Sequence, residues 1–307
     1  WILINYLSSK LLGKNWYYFI ILLNLFSSIF IIYLSLKITN ISRLSNIILF
    51  SFMQICCIDL WIYNSYVLSD LFFTAFSTLI FISTLKYIKT NKKKHILIIF
   101  LSIFFLFFLR PTLIPILLFV LLALFVKIKF HRLFIYNFCI YVSILFFFIL
   151  LISIFQKILI TNDFNFYIKI LNNYNYWLKL QFHEGIIIYD RPEYNIGNVN
   201  DISSIIYYNI NKLIMYYNFL PFGYSNNHKL VNLIYILLII SSIFKFKIID
   251  KKKFDIVSIY LISVFILAFG IFHMITIIDY DWRYRLPILP ILTLVPFLIY
   301  KNNNIDA

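Results

Sequence analysis

The apolar run ILIIFLSIFFLFFLRPTLIPILLFVLLALFV, residues 96–126, decides the class of fold. The run is too long for one membrane helix, and Arg110-Pro111 interrupts it near its middle. Lysine clusters flank both of its ends, and cytoplasmic loops are the ones that retain Lys and Arg. The run therefore predicts a helical hairpin that turns at Arg110, with both ends in the cytoplasm. Each arm would cover roughly 21 Å of a hydrocarbon core about 30 Å thick.

The composition of the whole chain is that of a polytopic membrane protein. Of its 307 residues, 63% are hydrophobic and 13% are charged, and the mean hydropathy is +0.90. We predict an all-α polytopic membrane fold that forms a single transmembrane domain over residues 1–307. Apolar runs predict about nine transmembrane helices, at residues 16–36, 46–66, 69–87, 96–109, 112–126, 134–155, 230–246, 255–278 and 286–300.

Basic residues are concentrated in every second loop between these runs. The chain has 27 Lys+Arg against 12 Asp+Glu, a balance that is also found in proteins that bind nucleic acid. Here the charges lie in short loops, so membrane topology explains them better and no nucleic acid is expected. The alternation places the clusters in the cytoplasm and residues 156–229 in one long extracytoplasmic loop. Within that loop, 164–182 and 202–219 are predicted to be helices that lie in the membrane interface.

No cofactor is expected from the sequence. The three cysteines lie inside apolar runs, where a thiol behaves as a small hydrophobic group. Histidine and acidic residues show no metal-ligand spacing, so no metal site is assigned, although a divalent cation is left open. The chain opens at Trp1 without a methionine, and we expect that a segment upstream is missing.

Residues 279–290, DYDWRYRLPILP, concentrate charge and proline between two apolar runs. In a continuous helix, Asp279 with Arg283 and Asp281 with Arg285 would form pairs four residues apart, and the stretch would be a salt-bridged helix end. Alternatively, the two arginines stay available to bind an anionic group, because guanidinium groups match the geometry of phosphate oxygens. The residues alone leave both interpretations open.

Three other polar residues lie within or near the predicted spans. Asp59 would line a cavity or belong to a buried network. His273 would hydrogen-bond a sugar or phosphate, or simply a neighbouring helix. Arg110 would lie below the outer surface in a cavity, meet an acidic partner, or extend to the interface. Nine of the 12 acidic groups fall at or near the predicted outer face, which favours chemistry on that side.

Four stretches resemble, in order along the chain, the motifs of the GT-C class of lipid-linked-sugar glycosyltransferases. This class includes the protein mannosyltransferases and the aminoarabinose transferases that modify lipid A. Residues 1–36 resemble a conserved region of the class in which a short helix that ends in glycine is followed by a transmembrane span. YVLSDLFF at 66–73 resembles the pattern of the class in which an acidic residue begins the next span. LRPT at 109–112 resembles an Arg-Pro turn of the class. DWRYRLPILP at 281–290 is similar to the Arg-Tyr motif before the last span.

The resemblance implies transfer of a sugar from a polyprenyl-phosphate donor to a lipid, glycan or protein acceptor at the outer face of the bacterial inner membrane. The class keeps its catalytic carboxylate in a first outer loop that would precede Trp1, so no catalytic residue is expected in this fragment. Arg283 and Arg285 would neutralise the donor phosphate, and Arg110 would contribute from its turn. The supporting residues would be Asp59, Asp70, His273, Asp279, Asp281 and Tyr284, with Asp70 standing where the class usually has glutamate.

Three other functions are weighed against this one. An O-antigen-type polysaccharide polymerase or ligase would concentrate arginine and histidine in its outer loop, and the 156–229 loop has one arginine and two histidines. A lipid or solute transporter or flippase would show internal repeats and helices broken by glycine or proline. No repeat is found, and Gly270 is the only glycine in the predicted spans. Clustering of charge at one face argues against a purely structural membrane protein.

Overall fold

The computed structural model describes residues 9–39, 41, 43–65, 69–107, 113–129, 210, 213–214, 216–220, 225–249, 253–275 and 282–300. Throughout these residues the regular structure is helical, apart from an isolated antiparallel bridge between Phe254 and Tyr300. The prediction of an all-α fold is confirmed for this part of the chain.

The α-helices are numbered in chain order. They are α1 (Trp16–Thr39), α2 (Leu44–Cys56), α3 (Ile58–Ile62), α4 (Asp70–Thr90), α5 (Lys94–Phe107), α6 (Ile114–Lys129), α7 (Asn226–Phe244), α8 (Ile256–Ile275) and α9 (Leu289–Leu298). Short 3-10 helices cover Gly13–Asn15, Tyr63–Ser65 and Trp282–Ile288, and a π-helix covers Lys245–Ile249.

The described residues include four helices that are long and apolar enough to cross a membrane: Ser9–Thr39, Asp70–Thr90, Asn226–Ile248 and Ile256–Met274. They support a membrane protein. The predicted count of about nine spans is not supported. The segment predicted as 46–66 is interrupted after Cys56, and the 14 residues of α5 cover only about 21 Å. The span predicted at 134–155 lies outside the described residues.

The chain divides into two compact units. Unit 1 takes in Trp1–Lys129, Leu230–Leu267 and Arg283–Ala307, and unit 2 takes in Phe130–Lys229 and Ala268–Trp282. Most of the predicted 156–229 loop, including the helix predicted at 164–182, lies outside the described residues.

Helix α4 is the centre of unit 1. It packs against α1, α5 and α6, and its hydroxyl side chains at 74, 77 and 78 donate to the carbonyl four residues earlier, at 2.7–2.9 Å. Those bonds satisfy polar side chains without a second helix, so hydroxyl groups can be buried at low cost. One turn further along, Phe81 contacts Phe119 of α6 and Phe265 of α8 with ring centroids 5.3–5.7 Å apart.

The helices of unit 1 have two distinct ends, which we call the Asp70 end and the Lys94 end after the first residues of α4 and α5. At the Lys94 end, Lys89 in the last turn of α4 forms an ion pair with Asp255, which directly precedes α8. The Asp255 amide also donates to the Ile299 carbonyl at 2.7 Å, and the Tyr300 hydroxyl donates to the Ile243 carbonyl at 2.7 Å. The start of α8 is therefore tied to the ends of α4, α7 and α9.

The basic clusters of unit 1 gather at this same end. Lys37 lies at the end of α1, Lys94 begins α5, and the Lys245 ammonium donates to the Asn46 side chain near the start of α2 at 3.3 Å. Loops that the charge pattern assigns to one side of the membrane are thus together in space. Which side of the membrane they face stays a prediction.

Candidate functional site

The charged stretch before α9 forms the 3-10 helix Trp282–Ile288, which contains Pro287. Proline has no N–H to donate, and Pro290 stands in the first turn of α9, where a helix does not need that donor. A 3-10 helix has about three residues per turn, so residues four apart do not lie above one another. Asp279 and Asp281 lie outside the described residues, and so do the two predicted i,i+4 pairs.

Arg285 forms a fully buried ion pair with Asp59. Its Nη2 atom donates to Asp59 Oδ2 at 2.9 Å, and the side chains are 0% and 3% exposed. The two residues are 226 positions apart in the chain. Charges in such a place lose their hydration, and they are stable there only when paired with good geometry. Of the two interpretations of Asp59, a buried network describes its surroundings.

A break in the helix brings Asp59 to this position. Helix α2 ends at Cys56, and Cys57 leaves helical geometry with φ −76° and ψ 62°. The Cys57 amide still donates to the Met53 and Gln54 carbonyls, at 3.1 and 3.3 Å. The Trp61 indole donates a second and shorter hydrogen bond to the same Gln54 carbonyl, at 2.8 Å. The chain then resumes as α3, with Asp59 in its first turn.

A hydrogen-bonded network next to the ion pair joins α7 to α9. The buried Tyr235 hydroxyl donates to the Leu289 carbonyl at 3.0 Å and lies 2.8 Å from Thr293 Oγ1. Cys57 and Asp59 are both close enough to the Tyr235 hydroxyl to interact with it electrostatically. Buried polar groups that satisfy one another in this way fix a single packing arrangement. The start of α9 is therefore held by side chains from α3 and α7.

The Asp59–Arg285 pair consequently makes Arg285 a positioning residue for the 3-10 helix. Its role in binding the donor phosphate stays a prediction, but its guanidinium is buried against a carboxylate in this structure. Tyr284, the next residue toward the N-terminus, is only partly buried. Arg283 belongs to the same 3-10 helix, although its side chain is outside the described part. Arg110 lies outside the described residues altogether.

Asp70 is the first residue of α4 and is 2% exposed. A carboxylate in the first turn of a helix interacts favourably with the positive end of the helix dipole. Its backbone carbonyl accepts a hydrogen bond from the Thr74 hydroxyl at 2.7 Å. The sequence from Asp59 to Asp70 links α3 to α4, so two predicted site residues belong to one connection at the Asp70 end.

His273 lies in unit 2, in the last turn of α8, and is 3% exposed. The ring of Tyr216 packs against its imidazole with centroids 5.2 Å apart. Next to it, the Tyr217 hydroxyl reaches the backbone of α8 at Gly270, where a side chain would have no room. This packing fits the interpretation in which His273 contacts a neighbouring segment, and a bond to sugar or phosphate stays a prediction.

Three features of the site have no local signal in the sequence: the break at Cys57, the Asp59–Arg285 pair and the contribution of Tyr235. Asp59 and Arg285 each gave an indication as single residues, because charge within an apolar chain is costly, but neither indicated the other as its partner. Among the described residues, no group of three or more His, Cys, Asp or Glu is arranged to hold a metal ion.

The chain matches no protein-family model, no curated protein and no solved structure. The resemblance to the GT-C class therefore stays a prediction.

Proposed function

We propose that the chain is a membrane glycosyltransferase that moves a sugar from a polyprenyl-phosphate donor to a lipid, glycan or protein acceptor. We assign the Asp70 end to the extracytoplasmic side of a bacterial inner membrane. The observation that supports the proposal best is the buried Asp59–Arg285 pair, because it anchors the stretch that resembles the donor-binding motif of the GT-C class. A functional group attached to a rigid, well-supported element is held precisely enough for catalysis.

In this reaction, the bond between the sugar and the lipid phosphate breaks as the sugar bonds to an acceptor hydroxyl or amine. The acceptor proton goes to a general base, which in the GT-C class is a carboxylate of the first outer loop. The lipid phosphate leaves with increasing negative charge. We assign to Arg283 and Arg110 the role of stabilising that negative charge, since a cation that is already in place needs no reorganisation as the anion develops. Arg285 and Asp59 hold the 3-10 helix in place.

The test is the binding of radiolabelled polyprenyl phosphate to the purified protein in phosphatidylcholine vesicles. Arg283→Ala should weaken binding about tenfold to 100-fold, since hydrogen bonds to charged groups contribute roughly 1.5–3 kcal/mol. Arg43→Ala is the matched control: Arg43 is an exposed arginine before α2, at the Lys94 end, and its loss should leave binding unchanged.

Arg285→Ala separates anchoring from binding in the same experiment. It should lower the stability of the protein together with donor affinity, whereas Arg283→Ala should lower affinity alone. If Arg283→Ala binds polyprenyl phosphate as tightly as the unchanged protein, the proposed function is refuted. Transfer of labelled sugar to added acceptors then identifies the reaction class.

One observation favours a second candidate, a transporter or flippase. Helix α2 is interrupted at Cys57, beside a buried ion pair, and interrupted helices with buried charges are typical of transport paths. A flippase would move fluorescent polyprenyl phosphate between vesicle leaflets without consuming sugar. A glycosyltransferase would leave the probe in its original leaflet and release free polyprenyl phosphate only when sugar is transferred.

A further inference from the structure

An apolar groove of about 550 Å³ lies between α1 and α4 in unit 1. Five aromatic rings line it: Phe26, Phe30 and Tyr33 from α1, and Phe72 and Phe76 from α4. The three α1 rings are 38–59% exposed, so the groove opens at the surface of the helices. Its volume falls within the roughly 300–1,000 Å³ of small-molecule sites. In a membrane, the molecules that can fill it are the chains of lipids.

Tyr33 connects this groove to a set of lysines. The Lys37 ammonium, one turn further along α1, donates to the Tyr33 hydroxyl at 3.3 Å and lies 5.4 Å from the centre of its ring. Lys86 of α4 is close enough to interact electrostatically with Tyr33, Lys37 and Lys94. His95 in turn interacts with Lys86, Lys92 and Lys94. We call Lys37, Lys86, Lys92 and Lys94 the lysine cluster.

The described residues leave the lysine cluster without a carboxylate of its own. They contain three acidic side chains: Asp59 bonds Arg285, Asp255 bonds Lys89, and Asp70 begins α4 at the opposite end. Cations that approach one another at a membrane surface repel unless an anion lies among them. The cluster also belongs to the Lys94 end, which the charge rule assigns to the cytoplasmic leaflet, where anionic lipids attract basic segments.

We propose that the groove and the lysine cluster together bind one anionic phospholipid, with an acyl chain between α1 and α4 and the headgroup phosphate on the lysines. A neutral lipid could fill the groove but would not neutralise the lysine cluster, and a free phosphate could bind the lysine cluster but would leave the groove unfilled. Tyr33 marks the level at which the chain gives way to the headgroup, because its ring lines the groove and its hydroxyl bonds Lys37. Basic pockets between membrane helices on the cytoplasmic side recognise lipid headgroups in this way.

Native mass spectrometry of the full chain in neutral detergent tests the proposal. The protein is titrated with phosphatidylglycerol, with phosphatidylcholine of the same acyl chains, and with glycerol phosphate alone. Phosphatidylglycerol should bind, and the other two should bind at least about tenfold more weakly, since one unmade charged contact changes an affinity by that order. Equal binding of phosphatidylcholine, or of glycerol phosphate, overturns the proposal.

The proposed contact between the lipid headgroup and the lysine cluster is tested with the variant Lys37→Gln/Lys86→Gln/Lys94→Gln. Each lysine near an anionic surface contributes about fivefold to binding, so phosphatidylglycerol affinity should fall roughly 100-fold. Lys245→Gln/Lys247→Gln/Lys253→Gln is the charge-matched control and should bind as the unchanged protein does. An equal loss in the control means that general basicity, and not this cluster, attracts the lipid, which refutes the site. If the triple variant does not fold, Lys94→Gln alone should still lose about fivefold.

The groove half is tested with Ala75→Phe. Ala75 lines the groove from α4, and a phenyl ring there would occupy the space assigned to the acyl chain. Affinity for long-chain phosphatidylglycerol should fall to the value for a short-chain form, while the short-chain affinity stays unchanged. A long-chain affinity that Ala75→Phe does not alter shows that the chain lies elsewhere, and the proposal fails. Melting curves in phosphatidylcholine verify that each variant is folded.

Discussion

Replacing Arg285 by methionine should strongly destabilise the protein. The substitution leaves Asp59, a residue 3% exposed, without the guanidinium that lies 2.9 Å from its carboxylate. Removing one partner of a buried ion pair costs about 3–5 kcal/mol, because the remaining charge stays desolvated and uncompensated. At 1.4 kcal/mol per factor of ten, the folding equilibrium should shift roughly 100- to 4,000-fold.

The double variant Asp59→Leu/Arg285→Met separates the loss of the pair from the loss of packing. Hydrophobic residues of similar volume often replace a buried pair without loss of stability, so the double variant should be more stable than Arg285→Met alone. The assay is unfolding by sodium dodecyl sulfate in bicelles, followed by tryptophan fluorescence. Arg43→Met, which removes an exposed arginine, should change the unfolding free energy by less than about 0.5 kcal/mol.

Two results would refute this reasoning. A cost below about 1 kcal/mol for Arg285→Met would mean that Asp59 finds water or another partner easily, as surface pairs do. A double variant that loses the sum of both single losses would mean that the two side chains do not depend on one another.

Two further predictions concern other parts of the fold. Gly270→Ala should cost about 1–3 kcal/mol, since the added methyl group would lie 2.5 Å from Cζ of Tyr217, and the same substitution in a Tyr217→Ala background should cost much less in the same bicelle assay. Burial raises the pKa of the Asp255 carboxyl, but the hydrogen bonds from Lys89 and Ser258 outweigh burial and bring its pKa below the ordinary 3.8. The ionised form therefore stabilises the protein above about pH 4, and this contribution is lost as pH falls through the lower native pKa. Asp255→Asn should flatten acid unfolding curves recorded by circular dichroism below about pH 4, and an unchanged slope would contradict the assignment.

Apolar runs are sufficient to predict the long helices, because lipid and the protein core both favour apolar side chains along the whole length of a span. The runs at 16–36 and 69–87 correspond to α1 and α4 with ends that differ by three residues or fewer. The apolar run 46–66 predicts one continuous span. The structure instead breaks the helix at Cys57, where the indole of Trp61 donates to the Gln54 carbonyl, and such a contact from a side chain leaves no local pattern in the sequence.

In the site, as in the fold, the sequence indicates which residues matter but not which of them are in contact. Asp59 and Arg285 were both predicted as site residues, because charge inside an apolar chain is costly and marks a functional or buried position. Their contact could not be predicted, since local spacing offers Asp281 as an equally reasonable partner of Arg285. Tertiary packing decided between carboxylates that are 4 and 226 positions away.

The distance of Asp59 from Arg285 along the chain has a consequence during synthesis. The ribosome adds about 5–20 residues per second, so the 226 positions between them correspond to roughly 11–45 s in which Asp59 has been made and Arg285 has not. Throughout that interval the segment from α2 to α3 must enter the membrane with a carboxyl group that lacks this partner. The contact between Asp59 and Arg285 therefore forms in an order imposed by translation, after the helices from α3 to α8 have been made.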